Sequence, residues 1–151
     1  MNFLNIFPAH KVSIVNFVGL SRGLFPAWNP ILAYLKPYMT SARLLLKGKL
    51  KGMGVPIRIL NCYAPYTSCE VFWEKVDING ILSDPYLIFC GDSNLTLYSS
   101  AFLGGSSQMD KKESLLKQFF MNSNLMDVIH TKLTPTWRNL RVRNDGVRKR
   151  L

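Results

Sequence analysis

The chain has 151 residues, 48% of them hydrophobic and 19% charged. That supplies one modest core, allows no more than one domain, and excludes an intrinsically disordered protein. Lys+Arg 19 against Asp+Glu 9 leaves a net charge of +10, which points to a polyanionic partner, nucleic acid first and an acidic membrane surface second.

The charge is unevenly placed. No Asp or Glu precedes Glu70, and arginine is dense from Arg138 onward. The apolar first twenty residues are interrupted by Asn2, Asn5, Pro8, His10, Lys11 and Asn16, with no A-x-A-like site behind them, so no signal peptide is expected. No run approaches the ~18 apolar residues of a spanning helix. Cys62, Cys69 and Cys90 have no metal-ligand spacing and leave one cysteine unpaired. Cys62 and Cys90 fall in expected core strands, as small hydrophobes suited to a reducing compartment.

In chain order, Val12, Ile14 and Phe17–Val18 suggest a strand, and Ser21-Arg22-Gly23 a turn. Leu24–Trp28 is apolar and ends at the breaker Asn29-Pro30. Ile31–Tyr38 fits strand or helix and is expected to close at Pro37, with a short strand at Ser41–Leu46. Lys47–Gly54 reads as a basic hairpin loop, either a phosphate contact through Lys49 and Lys51 or a solvated turn. Val55–Ala64 alternates as a strand, with Ile57, Ile59, Asn61 and Tyr63 on one side and Arg58, Leu60, Cys62 and Ala64 on the other.

A helix should follow Pro65, with Thr67 and Glu70 at capping-box spacing, Phe72, Trp73 and Val76 as its apolar face, and an end near Asn79-Gly80. Residues 95–109 read as a surface loop. A second helix begins near Asp110 and Glu113 with a Leu115, Leu116, Phe119, Phe120 stripe, and Leu125–Ile129 reads as a short continuation. Thr134–Asn139 starts a final strand or loop, and the arginine-rich end has no evident continuation. Strand, helix, strand, helix, strand indicates an α/β fold.

The most informative stretch is Pro85–Asn94, an apolar run that reaches Gly91 and then delivers Asp92, Ser93 and Asn94. It reads as a buried strand with a carboxylate and an amide at its end, where α/β enzymes keep their chemistry. Both residues also favour plain turns, and Gly91–Asn94 alone does not separate the two readings.

The ordered set Asn61-Cys62-Tyr63-Ala64-Pro65, Phe72-Trp73, Gly91-Asp92-Ser93-Asn94, Leu125-Met126-Asp127 and Thr136-Trp137-Arg138-Asn139 resembles the endonuclease/exonuclease/phosphatase superfamily, the relatives of AP endonucleases and DNase I. It is most similar to the endonuclease domain of plant LINE-type retrotransposons, and Gly19–Leu24 and Trp28-Asn29-Pro30 resemble further family segments. The resemblance implies a partial four-layer α/β/β/α sandwich of the DNase I-like type over residues 15–151, after a poorly defined segment 1–14. It also implies Mg²⁺-dependent phosphodiester hydrolysis. By match, Asp92 would orient or deprotonate the attacking water, Asn94 would hold that aspartate and bond the phosphate, and Tyr63 would donate to a phosphate oxygen. Asn61 of the same motif, Lys49, Lys51, Trp137 and Arg138 would contact substrate. No metal ligand is assigned.

The departures are as informative. The family's metal-binding glutamate would stand upstream of the matched segments, where this chain has no acid. Its catalytic histidine and that residue's aspartate partner would follow Arg150-Leu151. Ser93 replaces a usually aromatic residue, and Arg22 a usual glycine. The expectation is therefore a truncated, catalytically inactive endonuclease-like fragment. The alternatives are a basic nucleic-acid-binding fragment without chemistry, and a live phosphodiesterase or phosphatase. DNA is favoured over RNA, residence is nuclear or cytoplasmic, and unpaired sheet edges would favour self-association.

Overall fold

The computed structural model describes residues 8–15, 23–95, 97, 102–103, 111–128, 137–138 and 148–149; residues 102–103, 111–113, 137–138 and 148–149 are described by their backbone alone. The chain divides into two compact units, Met1–Tyr63 with Pro85–Cys90, and Ala64–Asp84 with Gly91–Leu151.

The first unit opens with β1 (Lys11–Val12) paired antiparallel to β2 (Ala27–Trp28), and a bridge joins Val15 to Leu24. Phe17–Val18 and Ser21-Arg22 lie outside the described residues. Three long strands follow as an antiparallel meander: β3 (Ala33–Thr40), β4 (Arg43–Leu50) and β5 (Pro56–Tyr63). Strand β6 (Leu87–Asp92) completes the sheet order β3-β4-β5-β6. The Arg58 amide donates to the Tyr86 carbonyl at 3.0 Å and the Ala64 amide to the Asp92 carbonyl at 2.9 Å. These bonds advance the same way along both strands, so β5 and β6 are parallel and need a crossover between them.

Two expectations for β3 and β4 are corrected. Strand β3 does not close at Pro37 but runs through it, opposite Leu46. Among the described strands β3 has a neighbour on one side alone, and an edge strand tolerates a residue without an amide hydrogen. The Lys47–Gly54 loop is also too long: Lys47, Gly48, Lys49 and Leu50 remain in β4, and the turn is confined to the residues after Leu50. Hydrophobic periodicity fades there because Lys47 and Lys49 occupy the solvent side of a continuing ladder. Gly48 is required at its place, since a Cβ would run into the main-chain carbonyl of Tyr34.

The alternation expected of β5 is observed. Leu60 and Cys62 are fully buried on one face. On the other, Ile57 and Ile59 pack against a cluster of Val15, Ala33, Leu35, Leu44 and Leu46. Strand β6 departs from its reading as a buried strand, because Ile88 is 51% exposed and Cys90 is also exposed. Among the described strands β6 has one neighbour, so only part of its surface is covered. The Cys90 thiol donates to the Leu60 carbonyl at 3.5 Å, and partial burial pushes its pKa above the ordinary value.

The second unit holds α1 (Cys69–Ile78), a 3-10 turn (Ile81–Ser83) and α2 (Lys111–Asn122), which touch one another pairwise. Trp73, Val76, Leu82, Leu116, Phe119 and Phe120 are buried, as the helical stripes require, whereas Phe72 and Leu115 are half-buried. The capping box at Thr67 and Glu70 does not form: the N-cap is Ser68, in a left-handed conformation with no side-chain cap bond. Helix α1 does end at Asn79-Gly80, where Gly80 takes φ 63°.

Leu125–Val128 does not continue α2, because Asn124 turns left-handed at φ 52° and breaks the helical repeat. Ile129 lies outside the described residues, as do most of 95–109. Within that expected loop, however, β7 (Phe102–Leu103) is a strand. Within the arginine-rich end, β9 (Arg148–Lys149) lies between β7 and β8 (Trp137–Arg138), antiparallel to both. No helix of the described residues is long and apolar enough to cross a membrane.

Gly48 provides a direct test of the β3–β4 contact. Gly48→Ala should lower stability by about 1–3 kcal/mol, the usual cost of forcing extra volume into a packed site. Urea denaturation checks it, and an unchanged midpoint would show that β3 can move aside.

Candidate functional site

The candidate site is built where β6 ends. Gly91, at φ 116°, adopts a backbone that L-residues avoid and turns the chain out of the strand. Asp92 follows, half-buried, and its Oδ1 accepts a hydrogen bond from the Asn94 amide at 2.9 Å. This is the local carboxylate-to-backbone turn that aspartate favours. Asn94 takes φ 51°, a left-handed conformation that asparagine tolerates better than most residues.

The Asn94 Nδ2 donates to the Ala64 carbonyl. The Ala64 amide in turn donates to the Asp92 carbonyl. The segment leaving β5 and the segment leaving β6 are therefore clamped in both directions. Ser93, between them, is buried. Its hydroxyl donates to the Leu95 carbonyl at 2.6 Å and accepts from the Leu95 amide, while the Cys69 thiol lies 3.7 Å from the Ser93 carbonyl. A buried hydroxyl needs such partners, and this local loop supplies them where an aromatic residue is usual in the resembled motif.

Asp92 and Asn94 are thus brought together: the Asn94 backbone amide holds Asp92, and its side chain braces Ala64. Tyr63 and Asn61 sit at the C-terminal end of β5 and are half-buried, with the Tyr63 carbonyl accepting from Arg43 Nε at 3.3 Å. Lys49 lies at the other end of that ladder, opposite Pro56 and Tyr34, and Lys51 lies in the turn beyond it. At ~3.3 Å per residue, Lys49 is some 20 Å along the sheet from Tyr63. Trp137 and Arg138 form β8, and their side chains lie outside what is described.

Mg²⁺ takes oxygen ligands in near-octahedral geometry. The described residues contain no group of three His, Cys, Asp or Glu side chains that could hold a metal. Asp92 is a single carboxylate, already engaged through one oxygen with the Asn94 amide. The described donor set does not fit the metal that the resemblance implies. What these residues offer is a fixed carboxylate at a strand end, able to accept a proton or orient a water. Ala64, Ser93 and Cys69 were missed as parts of the site. Only the Asn-x-Tyr-Ala-Pro motif hinted at the first, because a main-chain carbonyl leaves no signature in sequence.

The fold matches a solved structure described as the endonuclease domain of TRAS1, a telomere-specific non-LTR retrotransposon, with a TM-score of 0.61 and 17% sequence identity over 95% of this chain and 68% of that one. No protein-family model and no curated protein matches. The chain therefore has the α/β fold of the DNase I-like endonucleases.

The clamp predicts that Asn94→Ala loses a part-buried donor and strains the left-handed turn. A drop in unfolding free energy of about 1–3 kcal/mol is expected, and Asn94→Asp, which keeps the turn preference but sets a carboxylate against the Ala64 carbonyl, should not restore it. Equal stability of Asn94→Ala and the parent in urea would show that Ala64 is braced by something else.

Proposed function

We propose that this chain is an endonuclease-like, retrotransposon-derived domain that binds nucleic acid and, by itself, does not hydrolyse phosphodiesters. The fold match supports the endonuclease-like part. One observation carries the functional part: the strand-end centre presents Asp92, held by the Asn94 backbone, and no described cluster of metal ligands.

Phosphodiester hydrolysis needs an activated water together with stabilisation of the charge that builds on the phosphate oxygens. Asp92 can serve the first requirement as a water-orienting base. Tyr63 and Asn61, which lead into Ala64, are the donors proposed for the phosphate. The Asn94 amide carries two hydrogens: one serves the Ala64 carbonyl, and the other is the proposed donor to the phosphate. Lys49, Lys51 and Arg138 are proposed contacts to the nucleic-acid backbone and Trp137 a proposed stacking surface, with DNA the preferred partner. Mg²⁺ is the cofactor of the activity that the resemblance implies; the described residues do not supply its donor set.

The chain should nick supercoiled plasmid no faster with Mg²⁺ than with EDTA, while retarding the same DNA in a salt-dependent way. Gel assays of the parent beside Asp92→Ala check this. Metal-dependent nicking that disappears in the variant would establish a live centre and overturn the inactive reading. A chain that neither nicks nor retards DNA would overturn the binding reading.

A further inference from the structure

The charge partition extends beyond the strand-end site. All nine acidic residues of the chain lie in the second unit, Glu70 being the first in sequence, so the first unit carries its lysines and arginines with no acid of its own. Register concentrates some of this charge on one sheet face. Lys36 of β3 lies directly opposite Lys47 of β4, and Tyr34 opposite Lys49. Tyr38 lies on the same face two residues beyond Lys36, and the Lys47 ammonium stands 5.3 Å from the centre of the Tyr38 ring. The three lysines are exposed, and Tyr34 and Tyr38 are 50% and 46% exposed.

Like charges directly opposite on a ladder destabilise it. A lysine pair without an acid in its unit is relieved most directly by an external anion. The two tyrosines stand about 13 Å apart along β3, four residues at ~3.3 Å each, with Lys36 between them. Aromatic rings interleaved with cations on an open sheet suit splayed bases and their phosphates, which a paired duplex does not present. Within β3 and β4 no exposed aliphatic side chain shares this face: Met39 belongs to the opposite face by alternation, and the exposed Leu32 lies just before the strand. That disfavours a membrane surface. A second copy of the same face would bring lysine against lysine.

We propose that the β3–β4 face is a non-catalytic platform for single-stranded nucleic acid. Tyr34 and Tyr38 stack on bases, and Lys36, Lys47 and Lys49 contact the backbone. The platform rests on the premise of the function proposed above, that the chain meets nucleic acid, and shares Lys49 with it. It is read without metal, so it stands or falls separately from cleavage at Asp92.

The test is fluorescence anisotropy in EDTA with a labelled oligothymidylate of about 15 nucleotides, within the span such surfaces occupy. The Tyr34→Ala/Tyr38→Ala chain should bind about ten-fold or more weakly, and Tyr34→Phe/Tyr38→Phe, which keeps both rings, within about two-fold of the parent. Lys36→Gln/Lys47→Gln should reduce the slope of log affinity against log salt by roughly 1.4, about 0.7 per lysine on a single strand. Duplex of equal length should bind more weakly and be indifferent to the tyrosine changes. Urea melts establish that each variant is folded, and the phenylalanine pair separates loss of stacking from loss of fold. Parent-like binding by the alanine pair overturns the proposal. So does equal loss in the phenylalanine pair, the same tyrosine dependence on duplex, or binding to acidic-lipid vesicles through these tyrosines in preference to the oligonucleotide.

Discussion

Strand β4 is paired on both sides, with β3 from Arg43 to Leu50 and with β5 from Arg43 to Lys49. This double pairing fixes the first unit. Because strand side chains alternate with a period of two, the register that sends Leu44 and Leu46 into the core sends Lys47 and Lys49 to solvent. A slip by one residue would bury two ammonium groups and expose the leucines. Burying an unpaired cation is costly, so the register is strongly specified. Gly48 adds a steric condition, because only a residue without a Cβ lets β4 approach the Tyr34 carbonyl.

The strand-end centre depends on main-chain geometry. The bonds between Ala64 and the Asp92–Asn94 segment join two stretches separated by a helix and a 3-10 turn. Each uses a group that any residue carries at one end, a backbone amide or carbonyl. Only Asn94, with its tolerance of the left-handed region and its amide donor, adds a sequence-specific element. The same geometry gives Asp92 a defined position and ties one donor of the Asn94 side chain to the scaffold.

Charge is segregated more sharply than the net value suggests. The second unit mixes acids and bases, whereas the first is cationic throughout. Electrostatic attraction for a polyanion is therefore concentrated on the part of the chain built from the meander. The helical unit carries Asp92, the carboxylate of the candidate centre.

Several features were legible in the sequence because they obey local rules. The alternation of Ile57 to Tyr63 gave β5 and its two faces, and the stripe of Leu116, Phe119 and Phe120 gave α2. Asn79-Gly80 marked the end of α1, and the order of short motifs pointed to the DNase I-like fold. Other features were decided by partners distant in the chain. Pro37 stays in a strand because β3 has one described neighbour, and Lys47–Leu50 stay in β4 because β3 and β5 hold them from both sides. Ile88 and Cys90 are exposed because β6 has one described neighbour. The arginines near the end find strand partners some 10 and 45 residues back. Pattern along the chain determined which residues can share a face. Only long-range hydrogen bonding, which has no period in sequence, decided which faces are covered and that the Asn94 amide points to Ala64.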